Sequence, residues 1–218
     1  MTIIQDPRSS ITQSAIVDPA FHALRMSLRP IENTGAFRVS VRSGVIAAAT
    51  AAAIQFSFRY TGTGSCMIQS VKVGLNGLAG YTQGNISYTL AIVRGFSVSD
   101  TGGTQTTYGN IQKLRNSMTQ PQVDSRISTT GAITAAATTA GIEDPNPFAS
   151  IQHEMAPTIT NQPMKEFLPM GWYSKAITLT NNEGFRIRNQ SAYAATGTCN
   201  LLVSVEWVEF PAISTYFY

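Results

Sequence analysis

The segment most suggestive of chemistry is Asp100-Thr-Gly, followed by Gly103, because aspartic proteases use this tripeptide. Their mechanism needs two carboxylates that share a proton, so a chain with one copy would have to dimerise to supply the second. Aspartate and glycine also suit the dihedral angles of an ordinary β-turn. The preceding Ser97-Val-Ser99 is less apolar than a protease core strand. We therefore predict a turn at Asp100 and not a catalytic aspartate.

Other catalytic patterns are incomplete. His153-Glu154 has no second histidine at helical spacing, so the zinc-protease motif fails, and no Gly-x-Ser-x-Gly sequence places a nucleophile. Nothing in the sequence pairs the carboxylates that sugar hydrolysis would need, which are Glu143, Asp144, Glu154, Glu183 and Glu206. We expect a protein that is not an enzyme, with no catalytic residues, no metal and no cofactor.

Cysteine and glycine spacing predicts structural roles. Cys66 and Cys199 lie far apart in sequence and are expected to be buried free thiols, although a disulfide between them is left open. The glycine-spaced segment 74–80 lacks the lysine of a phosphate-binding loop and the dinucleotide-binding pattern. We predict that it forms a flexible loop.

The chain carries unusually little charge. Only 12% of its 218 residues are charged, against roughly 25% in an ordinary soluble domain, while 43% are hydrophobic. Uncharged polar surfaces can be covered by another subunit without the cost of desolvating ions, which favours an assembly component. The net charge of +3 is mild and the basic residues are scattered, so we expect no nucleic-acid partner.

Period-two alternation of apolar and polar residues predicts an all-β fold. We interpret it as a two-sheet antiparallel β-sandwich, jelly-roll-like, because no alternation of strands with helices is present. A weaker strand is expected around residues 126–133. The seven clearest strand segments are 36–42, 54–60, 66–73, 86–94, 176–180, 184–188 and 199–208.

The pattern divides the chain into an extended N-terminal arm (1–34), a sandwich domain (35–210) and an aromatic C-terminal tail (211–218). Within the domain, residues 135–170 are rich in proline and show no alternation, so we predict a long interfacial loop. The N-terminus lacks the apolar run of a signal peptide. The longest apolar stretch, at 45–54, is too short to span a bilayer, so no membrane partner is expected.

Subunit contacts are predicted where apolar residues lie outside the strand pattern and where charge is lacking. The uncharged stretches are 45–58, 74–93 and 128–141. The residues expected at a subunit interface are Ile3, Ile4, Ile11, Ile16, Trp172, Tyr173, Tyr216, Phe217 and Tyr218.

Six segments resemble, in order and spacing, a group of tailed-bacteriophage virion proteins. They are GAFRVSVRSG (35–44), FSFRY (56–60), DTGG (100–103), KLRNSM (113–118), NEGFRIRN (182–189) and VSVEW (203–207). The resemblance implies a structural protein of the virion, assembled in the host cytoplasm, that decorates or cements the head shell or forms a head fibre. It implies contacts with itself, as a homotrimer, and with the major capsid protein or another virion protein. The alternative is a tail, baseplate or fibre protein that contacts a host receptor or glycan.

Overall fold

A computed structural model describes residues 16–18, 23–25, 35–47, 50–79, 84–107, 109–113, 120–136, 141–155, 161–167, 177–193 and 197–210. These residues form an all-β structure with no helix among them. The strands are β1 (Ile16–Asp18), β2 (Ala23–Arg25), β3 (Gly35–Arg42), β4 (Ile54–Tyr60), β5 (Ser65–Ala79), β6 (Gly84–Arg94), β7 (Thr104–Gln105), β8 (Ile111–Lys113), β9 (Val123–Ile127), β10 (Ile142–Glu143), β11 (Ala149–Met155), β12 (Asn161–Glu166), β13 (Ile177–Leu179), β14 (Glu183–Asn189) and β15 (Thr198–Phe210).

Two antiparallel sheets pack face to face, which confirms the predicted β-sandwich. The six-stranded sheet has the order β12-β5-β15-β3-β8, with β13 also paired to β5. The seven-stranded sheet has the order β10-β6-β14-β4-β9-β7, with β11 also paired to β6. Eight strands are divided between the sheets in the jelly-roll order, with β3, β15, β5 and β12 in one and β4, β14, β6 and β11 in the other.

The inner faces of the two sheets form one apolar core. In β15, the odd-numbered residues from Leu201 to Trp207 are fully buried, as their alternation predicts. Phe58 stacks on Phe185 with ring centroids 5.1 Å apart, and it meets the Trp207 ring edge-on at 5.2 Å. This aromatic cluster joins the sheets at their centre.

Residues 74–79 of the segment 74–80 form a strand and not a loop, contrary to the prediction, and Gly80 lies outside the described residues. β5 continues through Asn76 and Gly77 to Ala79, paired with β15 on one side and with β12 on the other. Backbone hydrogen bonds from both neighbours outweigh the weak strand preference of glycine. Gly74 also makes room for β12, because an added Cβ would lie 3.1 Å from Cγ of Met164.

The proline-rich segment 135–170 is also more regular than predicted. It contains β10 and β12 and, between them, the seven-residue β11, which pairs with β6 along its whole length. The prolines were misleading because Pro145 and Pro147 lie between strands and Pro163 lies at a register shift in the edge strand β12. A proline there costs no ladder hydrogen bond.

The predicted N-terminal arm is not extended throughout. β1 pairs antiparallel with β2, with Ile16 opposite Arg25, so this part of the segment folds back on itself. Of the remaining segment up to residue 34, the structure describes nothing else.

The uncharged stretches were wrong as a general guide to subunit contacts. Residues 54–58 are buried throughout within this one chain, and so are residues 88–93. They lack charge because this central part of the seven-stranded sheet is covered on both faces, so that neither side of these strand segments meets water.

Candidate interaction surface

A polar layer covers the outer face of the seven-stranded sheet. Asp100, at the end of the segment that follows β6, is 1% exposed and accepts hydrogen bonds on both carboxylate oxygens. Arg186 of β14 donates from Nε (2.9 Å) and Nη2 (2.5 Å), which gives a bidentate ion pair. Ser57 of β4 and the backbone N–H of Ala136 donate to the same carboxylate, each at 2.7 Å. One carboxylate therefore anchors two covering segments to two strands.

Glu143 of β10 extends this layer. It accepts two hydrogen bonds from Arg188, of 2.7 and 2.6 Å, and one of 3.2 Å from Nη1 of Arg186. Arg188 also donates from Nη1 to the carbonyl of Ala52, which has a φ of 60°. The four charges alternate in sign from Asp100 to Arg188, so each ion has a partner inside the fold.

Close packing closes the Asp100–Arg186 end of this layer to water. The guanidinium of Arg186 lies 5.0 Å from the ring centroid of Phe96, which is fully buried. At Gly141, an added Cβ would lie 3.2 Å from Val93 and 3.5 Å from the Phe96 ring. The covering segments therefore pack directly on the sheet.

The ion pair keeps Asp100 charged. Burial by itself would raise the pKa of this carboxyl, but the hydrogen bonds from Arg186, Ala136 and Ser57 and the charge of Arg186 lower it below its usual value. Burial by itself would lower the pKa of Arg186, but the hydrogen bonds to Asp100 and Glu143 and the charges of these two carboxylates raise it above its usual value. Both groups are ionised at neutral pH, which fits a structural pair better than a proton-transferring acid.

Above this layer lies an apolar surface, the proline ridge, formed by Ile142, Pro145, Pro147 and Phe148. All four side chains are exposed, Ile142 to 68% and Phe148 to 48%. Backbone hydrogen bonds from Asp144 to Ile92 (2.9 Å) and from Phe148 to Leu90 (2.8 Å) fix the ridge along β6. Large apolar groups held rigidly in water are typical of a contact surface.

A pocket opens beside the proline ridge, with a cavity volume of about 250 Å³. Its residues are Ala52, Thr89, Ala91, Glu143, Asp144, Pro145, Pro147, Arg188, Asn189 and Gln190. We call it the ridge pocket. It combines small and cyclic apolar side chains with the bidentate Arg188–Glu143 pair, so it offers space for an apolar group beside polar partners.

A second, larger cleft of about 480 Å³ lies between the sheet edges β7 and β8. Hydroxyl and amide side chains dominate it, with Arg42 as its one charged residue. Nη2 of Arg42 is already hydrogen bonded to Asn200 of β15. The cleft is therefore a polar surface, and none of the described residues that line it is aromatic.

The predicted turn at Asp100 is confirmed, since Gly102 and Gly103 have φ values of 76° and 64°. The sequence did not reveal that Asp100 pairs with Arg186, because the two are far apart in the chain. Alternation does, however, place Arg186 on the face of β14 opposite to Phe185. The available signal in the sequence was that a charged residue, Arg186, lies between apolar residues of the same strand.

The two cysteines and His153 are buried in the core of the fold. Cys66 and Cys199 are buried free thiols, as predicted, and burial raises the pKa of Cys199 to about 11. His153 is fully buried beside Tyr88, with ring centroids 6.1 Å apart. Burial, together with the charge of Lys165, lowers its pKa to about 4, so it is neutral at physiological pH.

The residues predicted for the subunit interface fall mostly outside the described residues. This holds for Ile3, Ile4, Ile11, Trp172, Tyr173, Tyr216, Phe217 and Tyr218, whereas Ile16 lies in β1. The proline ridge falls within the segment 135–170 that was predicted to be interfacial, but its exposed side chains were not singled out from the sequence.

Comparison with protein-family models, curated proteins and solved structures found no match to this chain. No helix long and apolar enough to span a bilayer occurs in the described part of the chain. Among the same residues, no three His, Cys, Asp or Glu side chains group as a metal site would require.

Proposed function

We propose that this chain is a non-enzymatic structural protein of a tailed-bacteriophage virion, which binds and stabilises the head shell as a decoration or cement protein. The observation that carries the proposal is the proline ridge: exposed apolar side chains on a backbone that hydrogen bonds to β6 and the partly buried ion pairs of Glu143 hold in place. The low charge, the jelly-roll strand order found in many capsid domains and the resemblance of six segments to virion proteins support it.

The physical role of such a protein is to add contact area between shell subunits. Each square ångström of apolar surface removed from water contributes roughly 25 cal/mol, less the entropic cost of association. The partners are the major capsid protein and other copies of this chain, as a homotrimer, and neither nucleic acid nor membrane. Because few ions lie on the contact surface, binding should depend weakly on salt.

The copy number per particle tests the proposal. Purified virions are digested and the protein is quantified by mass spectrometry against the major capsid protein. On the order of hundreds of copies, in a fixed ratio to the shell protein, is the expected result for a symmetric decoration. Absence from purified particles would overturn the proposal.

A second candidate function is a tail, baseplate or fibre protein that contacts a host receptor or glycan. The polar cleft between β7 and β8 favours it, because hydroxyl and amide groups can hydrogen bond to a sugar. The same measurement separates the two functions, since a tail location gives roughly three to a few dozen copies. A purified protein that binds host cells, and loses binding on Gln105→Ala or Gln112→Ala substitution, would support the second.

A further inference from the structure

We propose that the ridge pocket receives the aromatic C-terminal tail (211–218) of a second copy of this chain. The inference rests on the proposed function, because it gives the self-association of a virion protein a specific contact.

The pocket suits an aromatic side chain. Ala52, Ala91 and the two prolines of the ridge provide an apolar lining for a ring. Arg188, a quarter exposed at the side chain, offers a guanidinium for contact with the ring face, and Gln190 is exposed for the hydroxyl of a tyrosine. Tail residues Tyr216, Phe217 and Tyr218 supply three rings in succession. Aromatic anchors in small pockets commonly dominate binding at protein interfaces.

The tail leaves the sandwich at the opposite end from the pocket. β15 ends at Phe210, opposite Ser65, and Glu209 accepts a hydrogen bond from Gln122, whose carbonyl accepts one from Thr61. The exit is therefore level with the end of β4. The pocket is level with its beginning, because Arg188 lies opposite Ile54. Six strand residues separate these levels, or about 20 Å.

Distance favours a tail from another copy. The pocket is on the outer face of the seven-stranded sheet, whereas the tail starts from the six-stranded sheet. The two sheets are about 10 Å apart, so a route along the surface needs at least about 30 Å. Residues 211–218 span at most about 29 Å even when fully extended. A tail of the same chain would therefore have to be completely straight to reach the pocket, whereas a neighbouring copy can present its tail directly. Since the tail and the pocket are different surfaces, the contact between copies is heterologous, and it closes into a ring if the rotation permits.

The oligomeric state of the purified full-length protein tests this contact. Light scattering after size exclusion, together with native mass spectrometry, should detect a closed oligomer, a trimer if the proposed symmetry holds. The variant Y216S/F217S/Y218S should be monomeric at the same concentrations. Val98→Ser is the matched control: Val98 is 55% exposed on a neighbouring segment but does not line the pocket, so this variant should still oligomerise.

A cross-linking experiment identifies the pocket as the receptor. Protein carrying Gln190→Cys is mixed with protein carrying Phe217→Cys under mild oxidation, and a disulfide-linked pair of the two species is expected. The native cysteines are buried and do not compete. A wild-type monomer at every concentration, an oligomer that persists in the tail variant, or no mixed disulfide would each overturn the inference. Because none of these uses virions, a ring-forming protein absent from particles would overturn only the proposed function.

Discussion

The two sheets differ in what lies on the face turned away from the core. On the six-stranded sheet this face is open: in β3, Arg38 and Ser40 are exposed between buried neighbours, and Arg38 pairs with Glu206 in contact with water. On the seven-stranded sheet the same face is covered, and Arg186 pairs with Asp100 out of contact with water. The contribution of a strand arginine to stability therefore depends on whether remote segments of the chain cover that face of the sheet.

The largest expected effect comes from removing one arginine from each face. Arg186→Met leaves Asp100 as a buried, unpaired charge and should lower the free energy of unfolding by about 3–5 kcal/mol. Arg38→Met removes a pair whose side chains are 47% and 37% exposed, and should change it by less than about 1 kcal/mol. Urea unfolding followed by tryptophan fluorescence measures both.

The double variant Arg186→Met/Asp100→Leu separates the charge from the packing. It should regain much of the loss, because no uncompensated ion remains. Equal destabilisation by Arg186→Met and Arg38→Met would contradict the contrast between the two faces.

The next largest expected effect on stability is that of adding a methyl group to a glycine, compared between one strand of each sheet. At Gly184 of β14 an added Cβ would lie 2.0 Å from the backbone carbonyl oxygen of Phe58, which cannot move away, so Gly184→Ala should cost about 1–3 kcal/mol or more. At Gly74 of β5 the nearest atom is Cγ of Met164, in a flexible and exposed side chain. Gly74→Ala should therefore be close to neutral in the same unfolding measurement. A loss of stability as large as that of Gly184→Ala would instead show that β12 is held as rigidly as the backbone of Phe58.

A smaller and opposite effect is expected at Ala52, whose φ of 60° is unfavourable for a residue with a Cβ. Ala52→Gly should stabilise the fold by about 1 kcal/mol, and it keeps the carbonyl that accepts from Arg188. Ala51→Gly is the matched control: without a positive φ to relieve, it should lose about 0.4–1 kcal/mol through backbone entropy. Thermal unfolding of the two variants should shift in opposite directions.

Titration of Asp100 in the covered ion pair should have the smallest effect of these on stability near neutral pH. The folded-state pKa of Asp100 is lowered, so its stabilising contribution is complete above its unfolded pKa, near 3.9, and is lost as the pH falls further. The difference in unfolding free energy between wild type and Asp100→Asn should be constant from about pH 5 to 8 and should close below about pH 4. Glu206→Gln on the open face should show a small difference throughout. A gap for Asp100→Asn that stayed constant down to pH 2 would argue against the buried ion pair.

The regular strands of the core were predictable, whereas the strands at the sheet edges were not. β15 places its apolar odd-numbered residues from Leu201 to Trp207 on the core face, and their burial follows directly from the sequence. β11 and β12 contain prolines or polar residues and owe their pairing to β6 and β5. Short edge strands take their conformation from the neighbouring strand, which local preference does not report.

The candidate site was predictable only as a region. Proline content marked the segment that contains the ridge, but which side chains are exposed depends on the hydrogen bonds of Asp144 and Phe148 to β6. Uncharged sequence was a poor guide to contact surfaces for a related reason. Residues 54–58 lack charge because other segments of the same chain bury them. Low local charge does not distinguish burial within the chain from burial by a partner subunit.

By itself, the sequence determined the fold class, because alternation with a period of two is a local property that the pleat of a strand imposes. It also determined the turn at Asp100 and the burial of both cysteines. Only the tertiary structure decided that one sheet is covered on both faces, that Asp100 pairs with Arg186 and that the proline ridge is exposed. These features depend on contacts between residues far apart in the chain, 86 positions in the case of the ion pair, and no local pattern encodes which distant segments meet.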